Sequence, residues 1–217
     1  MSKSRFVEMF GSIQNSRKYP YKTVKEFTKV ISGGTPNRAL KEYWEGGTIP
    51  WVKTTELQNN VITEVEESIT NEGLSNSSAK IVPAETVLIA MYGQGKTRGM
   101  TAILGLEACT NQACACILPS EKINQTYLWQ FFMLSYDHLR SMAKGGNQPN
   151  LNSDIIKNYP ILYPPKERQN EFAAFVRQTN KSKFANQQSI IEMETLKKAL
   201  MQKRVTSQQS ASTGPSS

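Results

Sequence analysis

The sequence predicts a mixed α/β (α+β) domain followed by one long helix. Between residues 21 and 165, short apolar and β-branched runs alternate with Gly, Pro and Asn turn signals, which is typical of short strands. After the double proline at 164–165, the run from Lys166 to Arg204 contains neither proline nor glycine. We therefore divide the chain into a short helix with a connector (1–20), a domain (21–165), a long helix (166–204) and a disordered tail (205–217).

The first half of the chain is predicted to be mainly short strands. A helix over Lys3–Phe10 precedes them and ends at Gly11. Helical turns within Asn37–Tyr43 or Glu66–Asn71 are also open. The predicted strands are Val24–Ile31, Ile49–Val52, Lys80–Val82, Thr86–Ala90, Thr101–Leu104 and Ala113–Leu118.

The pattern changes to helical periodicity from Asn124 to Lys144. The apolar positions of this segment form one broad face, and Gly145-Gly146 predict its C-terminal stop. A polar turn follows to Asn152, and the strand Tyr159–Tyr163 closes the domain.

The long helix would be roughly 58 Å long at 1.5 Å per residue. Side chains at alternating spacings of four and three residues form a seam along it, as in a coiled coil. The seam is apolar at both ends and polar in the middle, so we expect it to pair with a partner helix and to pair weakly alone. A helix docked on its own domain is the alternative. The seam residues are Phe172, Val176, Thr179, Lys183, Asn186, Ile190 and Met193.

Charge is unevenly distributed along the chain, whose formal net charge is +8. Residues 1–25 carry six basic and one acidic side chain, and residues 166–204 carry nine basic and four acidic ones. The middle, residues 26–165, has 11 basic and 13 acidic side chains. Nucleic-acid binding through diffuse charge is therefore excluded for the middle, where any contact must come from a few placed residues. The basic ends can add sequence-independent attraction to phosphates.

Several classes of protein are disfavoured by composition. No apolar run reaches the roughly 18 residues of a membrane span, and the N-terminus lacks the apolar region of a signal peptide, so we expect a soluble, cytoplasmic chain. The three cysteines between Cys109 and Cys116 are predicted to be buried thiols, because their number is odd and no histidine is near them for zinc. The single histidine, His138, leaves triad chemistry without support. We expect no metal site.

The segment Ala90–Thr97 looks like a phosphate-binding loop, since it follows an apolar run and ends in Gly-Lys-Thr. Such a loop must open a helix. Here Arg98–Gly105 is predicted instead to be a turn entering another strand, and the first glycine of the pattern is replaced by Ala90. Nucleotide binding is therefore disfavoured and no cofactor is expected. The loop suits another polyanion, nucleic acid.

Six segments carry a resemblance when they are taken in order. They are Ile31–Pro36 (ISGGTP), Tyr43–Trp51 (YWEGGTIPW), Leu88–Gly99 (LIAMYGQGKTRG), Thr110–Ala113 (TNQA), Gly145–Leu151 (GGNQPNL) and Tyr163–Gln169 (YPPKERQ). In this order and spacing they resemble the specificity subunit of type I restriction–modification enzymes, over roughly residues 20 to 203.

The resemblance implies that residues 21–165 are a target-recognition, DNA-binding domain and that residues 166–204 are the conserved spacer helix. A full subunit of this family has two such domains and two such helices in antiparallel pairing, and each domain reads half of a split DNA site. This sequence has one domain and one complete helix, so it resembles a half-subunit, either naturally short or cut from a longer chain. Pairing with a second copy or with another half-subunit through the long helix would restore two halves.

The resemblance also implies a chain without catalysis that directs other subunits. The expected partners are double-stranded DNA, a modification (methyltransferase) subunit and, indirectly, a restriction subunit. The sequence agrees, because Tyr163–Lys166 lacks the flanking residues of an adenine methyltransferase motif. We find no Gly-rich loop suited to S-adenosylmethionine and no paired carboxylates of a nuclease.

We expect three segments to form one DNA-facing surface: Lys53–Thr55, Tyr92–Arg98 and Gly145–Asn150. Gln94 or Gln112 could pair with adenine, and lysine or arginine with guanine or phosphate. The candidate DNA-binding residues are Lys53, Thr54, Tyr92, Gln94, Lys96, Thr97, Arg98, Asn147 and Gln148.

Some interpretations stay open beside this one. Asn111-Gln112 and Gln148 could only tie loops together, and Trp44 and Trp51 are favoured as core anchors over base-stacking platforms. The alternative function is a non-enzymatic interaction module that docks through its long helix without touching DNA. A third is an ATPase using Gly95-Lys96-Thr97.

Overall fold

The computed structural model describes residues 2–143 and 150–212; from residue 183 onward, side chains are described only at 188–189, 192–195 and 197–198. The chain divides into two units, residues 1–173 and residues 174–217. The first unit holds every strand described below, and the second continues the last helix.

The described part of the chain contains six α-helices, three short 3-10 helices and ten strands, so the mixed α/β prediction is confirmed. The helices are α1 (Ser2–Phe10), α2 (Asn71–Ser75), α3 (Gln125–Leu134), α4 (Tyr136–Ser141), α5 (Ser153–Lys157) and α6 (Lys166–Ser212). The strands are β1 (Tyr21–Thr23), β2 (Val30–Ser32), β3 (Ile49–Val52), β4 (Asn60–Ile62), β5 (Glu67–Ile69), β6 (Val87–Ala90), β7 (Thr101–Leu104), β8 (Cys109–Thr110), β9 (Cys114–Ile117) and β10 (Pro160–Leu162). No helix among the described residues combines the length and the apolar character that crossing a membrane needs.

The strands form three small sheets. A five-stranded sheet has the order β2-β9-β6-β7-β4, and all its pairs are antiparallel except β7 with β4. A three-stranded sheet has the order β5-β3-β8, in which β3 and β8 run parallel. Strands β1 and β10 pair antiparallel with each other. Because β8 leads directly into β9, the three-residue turn between them joins the two larger sheets.

The core of the five-stranded sheet is continuous and apolar. Strands β6, β7 and β9 are buried at every position, and α3 packs against β6 and β7. Trp129 of α3 donates an indole N–H to the Thr101 hydroxyl over 3.1 Å. The three cysteines are buried thiols, as predicted. Burial raises the pKa of the Cys109 and Cys116 thiols to about 11, so both are protonated at neutral pH.

Five aromatic rings form a second core between α1, α3 and the start of α6, which we call the aromatic cluster. Phe6 lies 5.0 Å from Phe10 and 5.5 Å from Phe172, measured between ring centroids. Tyr127 and Phe131 of α3 complete it. All five side chains are buried. The ordering of α1 follows from this packing, since a helix this short is unstable without tertiary contacts.

Several elements differ from their predictions. Among them, the segment Glu66–Asn71, where a helical turn was open, contains strand β5, because Glu67–Ile69 pairs with β3. The expected strand Val24–Ile31 is instead a 3-10 turn followed by β2, because the Glu26 carboxylate accepts the Thr23 N–H and closes the turn. Lys80–Val82 contributes only a single bridge between Val82 and Ala108. The expected helix Asn124–Lys144 is broken at Ser135, whose ψ of 9° leaves the helical region and separates α3 from α4.

The long helix is confirmed and continues to Ser212, beyond the predicted end at Arg204. Residues 205–212 contain no helix breaker, which is consistent with this extension. Along the predicted seam, Phe172 and Val176 are buried and Thr179 is half-buried, whereas Met193 is exposed. The Phe172 ring is already covered by the aromatic cluster. The side chains of Lys183, Asn186 and Ile190 lie outside the described ones.

Candidate nucleic-acid interface

Five loop segments meet where strands of the two larger sheets end. We call this surface the loop edge and define it as Gly33–Thr35, Lys53–Thr55, Met91–Arg98, Asn111–Ala113 and Asn150–Leu151. Strand direction brings them together. Strands β3 and β8 are parallel and end side by side, and β9, which starts there, is antiparallel to β2 and β6.

Backbone hydrogen bonds link the five segments to one another or to the strand residues beside them. The Asn111 N–H donates to the Val52 carbonyl over 3.1 Å, and the Met91 N–H donates to the Ala113 carbonyl over 2.8 Å. The Gly34 N–H reaches Thr110 O over 2.8 Å, and the Leu151 N–H reaches Met91 O over 3.1 Å. Of the three segments predicted from the sequence, Lys53–Thr55 and Tyr92–Arg98 therefore adjoin the same turn, and of Gly145–Asn150 only Asn150 is among the described residues.

The segment Tyr92–Arg98, which we call the glycine-rich loop, is the most exposed part of the loop edge. Strands β6 and β7 pair antiparallel around it, so the chain leaves the loop into a strand, as predicted. Because a strand and not a helix follows, the loop lacks the stacked N-terminal amides that hold nucleotide phosphates, and this geometry does not favour the ATPase interpretation. Tyr92, Gln94 and Lys96 are exposed, while Thr97 and Arg98 are half-buried.

Glycine is required at one position for the loop to close. Gly93 has φ +138°, and a Cβ there would lie 2.7 Å from the Thr97 side chain. The Thr97 N–H then donates to Gln94 O over 3.2 Å, and the Met100 N–H donates to Thr97 O over 2.9 Å. The loop is thus a series of hydrogen-bonded turns, and these turns fix the backbone positions from which its exposed side chains extend.

Two side chains of α4, which the sequence analysis did not select, hold the loop. The Tyr136 hydroxyl donates to the Lys96 carbonyl over 2.7 Å. The Arg140 guanidinium donates to the carbonyls of Gly95, over 2.9 Å, and of Arg98. The spacing of four residues puts both side chains on one helical face. The sequence shows this spacing, but it does not show that the two side chains contact a loop about 40 positions away.

Lys53 is the predicted contact that the structure argues against. Its Nζ lies 2.7 Å from a Glu66 carboxylate oxygen and 2.8 Å from one of Glu67. These hydrogen bonds raise the pKa of Lys53, and two carboxylates compensate its charge. Burial acts to raise the pKa of Glu67, but hydrogen bonds from Lys53 and Arg38 outweigh it, and the pKa lies below its ordinary value. The strand pairing of β3 with β5 causes this, because it sets Lys53 beside the acidic residues.

The remaining predicted residues have mixed placements. Thr54 is half-buried at the start of a 3-10 turn. The Gln112 side chain is exposed and its carbonyl oxygen accepts a hydrogen bond from the Thr35 hydroxyl, so it does tie two loops together. Asn147 and Gln148 lie outside the described residues.

The two tryptophans flanking the loop edge are packing residues. Trp51 is 1% exposed, and its indole N–H donates to Gly34 O over 2.9 Å. Trp44 packs against it edge to face, with ring centroids 5.1 Å apart. The Arg38 guanidinium covers the Trp44 ring at 3.6 Å. The preference for core anchors over stacking platforms is therefore confirmed for Trp51 and fits Trp44.

The loop edge contains no constellation for metal chemistry among the described residues, in which no three His, Cys, Asp or Glu side chains converge. His138 lies apart from the loops, and its Nδ1 is 2.7 Å from the Tyr159 hydroxyl. What the edge offers is exposed amide and cationic groups on turns of fixed backbone. Such a surface is suited to binding a polyanion.

The fold and this surface define a loop-bearing α/β recognition domain joined to a long helix. The chain belongs to the family described as the type I restriction modification DNA specificity domain, whose model matches residues 17–204. The match spans both the sheet-bearing domain and most of α6.

Named relatives agree with this family. The chain is 31% identical over 157 residues to the type I restriction enzyme MjaIX specificity subunit of Methanocaldococcus jannaschii, covering 70% of this chain and 35% of that protein. It is 29% identical over 147 residues to the EcoR124I/EcoR124II specificity subunit of Escherichia coli, covering 66% of this chain and 36% of that protein. The chain thus matches about a third of the length of each relative.

Solved structures show the same fold. The HsdS subunit from Thermoanaerobacter tengcongensis superposes with a TM-score of 0.62 at 18% identity, covering 87% of this chain and 44% of that one. A chain from a study of complex assembly and conformational transition of the type I R-M system gives a TM-score of 0.63 at 18% identity, covering 92% of this chain and 50% of that one.

Proposed function

We propose that this chain reads DNA as one half of a type I specificity subunit. In this proposal residues 21–165 are the target-recognition domain and residues 166–204 are the spacer helix. The chain directs a modification subunit, and through it a restriction subunit, to a split DNA site. The observation that carries the proposal is the family match, which extends over the domain and the helix together.

The geometry supports a division of labour on the loop edge. Gln94 and Lys96 are exposed on the glycine-rich loop and start from a fixed backbone, which suits contacts to base edges. Arg98 and Thr97 sit at the foot of the loop, where phosphate contacts would set the orientation of the domain on the duplex. Lys53 has no part in this proposal, because its charge is compensated.

The chain acts without catalysis in this proposal and performs its role in the cytoplasm. Its relatives are named as specificity subunits of restriction enzymes, which supports this part of the proposal. The interaction-module alternative is disfavoured, since it gives no reason for a match to a DNA specificity domain.

The second half of the recognition site comes from pairing of the long helix. Exposed Met193 marks the part of the predicted seam that is open to a partner helix, whereas Phe172 belongs to the chain's own core. The partner is a second copy of this chain or another half-subunit. A second copy would give a symmetric split site.

Adenine-methylation mapping tests this function directly. Cells expressing a type I modification subunit that assembles with this chain are compared with and without the chain, and methylated positions are mapped across the genome. We expect a new split motif that appears only when the chain is present. Two symmetric halves would identify a second copy as the partner, and unequal halves a different domain.

The control is the double variant Lys96→Ala with Arg98→Ala, expressed at the same level. It should lose or weaken methylation at the new motif while still assembling with the modification subunit. If the wild-type chain assembles with the modification subunit and no motif appears, the chain is not a DNA reader as proposed here.

A further inference from the structure

Helix α4 holds the glycine-rich loop by its backbone. Three loop carbonyls accept hydrogen bonds from α4. Tyr136 binds that of Lys96, and Arg140 binds those of Gly95 and Arg98. These bonds use the loop backbone and none of its side chains. The side chains of Gln94 and Lys96 therefore stay exposed while the backbone that carries them is held.

The contact is closely packed. An added Cβ at Gly99, where φ is +85°, would lie 3.0 Å from Arg140 Cγ and 3.5 Å from the Tyr136 ring. The Arg140 guanidinium in turn lies 5.1 Å from the Tyr136 ring centroid, so the two side chains support each other. Together they fix the loop at its tip and at its foot.

Arginine is suited to this position for a geometric reason. Its planar group carries five N–H donors in a rigid fork, so it can bind two carbonyls at once, which the single ammonium of lysine does with less geometric definition. Carbonyls also leave the guanidinium charge uncompensated. Substitution by lysine would therefore keep the charge and remove the fork.

We infer that Arg140 and Tyr136 are positioning residues for sequence discrimination: they hold the glycine-rich loop in the one shape that presents Gln94 and Lys96 to the bases. The inference rests on the proposed function. Specific contacts need side chains placed to within hydrogen-bond geometry, whereas attraction to phosphates tolerates a mobile loop. Removal of the clamp should therefore reduce discrimination more than overall affinity.

The test compares Arg140→Lys, Tyr136→Phe and wild type in the assembled complex with the modification subunit. The probes are a duplex carrying the sequence that wild type selects from a random library, and a duplex of equal composition with that sequence scrambled. We expect Arg140→Lys to weaken binding of the selected duplex roughly tenfold, which is the effect of losing one good hydrogen-bonded contact between a side chain and a base. Binding of the scrambled duplex and the salt dependence should stay nearly unchanged. Arg17→Lys, an exposed arginine outside the loop edge, is the matched control.

Amide hydrogen exchange without DNA checks the clamp itself. Both variants should speed exchange at Thr97 and Met100, whose N–H groups close the turns of the loop, while the ladder between β6 and β7 stays protected. Unchanged exchange in both variants overturns the clamp. This readout also separates a loosened loop from a misfolded domain.

The possible results separate the inference from the function beneath it. If wild type prefers the selected duplex and Arg140→Lys keeps the full preference, the inference is overturned and the proposed function stands. If the variant weakens both duplexes equally, Arg140 contacts phosphate and the positioning role is wrong. If wild type shows no preference for any duplex, the proposed function fails and the inference fails with it.

Discussion

The aromatic cluster and the loop edge lie in the same unit, but different interactions stabilise them. The cluster is five buried rings whose centroids lie about 5 to 6 Å apart. The loop edge is mostly exposed or half-buried side chains on backbone segments joined by hydrogen bonds. The first region supplies stability without any group left to bind a ligand. The loop edge exposes side chains that no close packing holds in place. Their positions therefore depend on the hydrogen-bonded backbone that carries them.

Two cations, Lys53 in the loop edge and Arg140 beside it on α4, also differ in the groups that bind them. Lys53 is bound by two carboxylates, and its charge is compensated within 3 Å. Arg140 is bound by uncharged carbonyls and keeps its charge. Both cations are half-buried, but the charge of Lys53 is compensated by carboxylates, whereas that of Arg140 can still attract a phosphate. Lys96 is exposed and Arg140 is bound by uncharged carbonyls, so these two cations have more charge available to a phosphate than Lys53 has.

The largest expected effect is in the aromatic cluster. Phe172→Ala should lower the free energy of unfolding by roughly 3–5 kcal/mol, because it removes a fully buried ring from among three others. Urea denaturation measures the loss. Val7→Ala, on the exposed face of α1, should change it by less than about 0.5 kcal/mol. A loss that depended on protein concentration would put Phe172 in the intermolecular seam and contradict the intrachain packing.

The loop should show the converse behaviour. Lys96→Ala with Arg98→Ala should lower DNA affinity severalfold or more and flatten the salt slope by up to about two, one for each phosphate that is no longer neutralised. Stability should change little. The measurement is a binding titration at several salt concentrations. The control variant Lys25→Ala with Lys29→Ala removes the same charge from two exposed positions outside the loop edge. An equal loss of affinity in the control would mean that net charge alone explains the effect.

Lys53→Met tests the difference between the two kinds of cation. DNA affinity should fall by no more than about twofold, because the Lys53 ammonium is held by two carboxylates and only the screened long-range effect of one unit charge is lost, and stability should fall by at most about 1 kcal/mol. The same titration and denaturation experiments apply. A loss of affinity as large as that of the loop double variant would return Lys53 to the contact surface.

The smallest effect is a pH dependence at Glu67. Its pKa in the folded chain lies below the ordinary value of 4.5, so its contribution to stability is present above that pH and is lost as the pH falls through the folded pKa. We expect Glu67→Gln to reduce the loss of stability between about pH 6 and about pH 3. Urea midpoints at the two pH values measure it. Glu64→Gln, at an exposed position, should leave the loss as in wild type.

Much of the fold could be predicted from local pattern. The α1 helix, β3 and β7 were predicted nearly to their bounds, because turn residues and apolar runs mark these elements directly. Strands β1, β4, β5 and β8 were missed, since two or three residues carry too little pattern. The break at Ser135 was missed because the apolar face continues through it, although serine tends to end a helix.

Two of the three segments predicted for the site, Lys53–Thr55 and Tyr92–Arg98, lie at one edge of the fold, and the roles of their individual side chains stay predictions. Glycines and polar residues marked the loops, and strand order then brought the loops to one edge. The roles of individual cations depended on neighbours distant in sequence. Glu66 and Glu67 reach Lys53 only through the pairing of β3 with β5, and Arg140 reaches the loop only through the packing of α4.

The sequence by itself determined the class of fold, the strand that follows the glycine-rich loop, the buried thiols and the family. Each of these follows from local composition, periodicity or motif order. The tertiary structure decided which charges are compensated, which seam residue is core and what holds the loop. Those properties depend on distances of a few ångströms between residues far apart in the chain, and no local pattern encodes them.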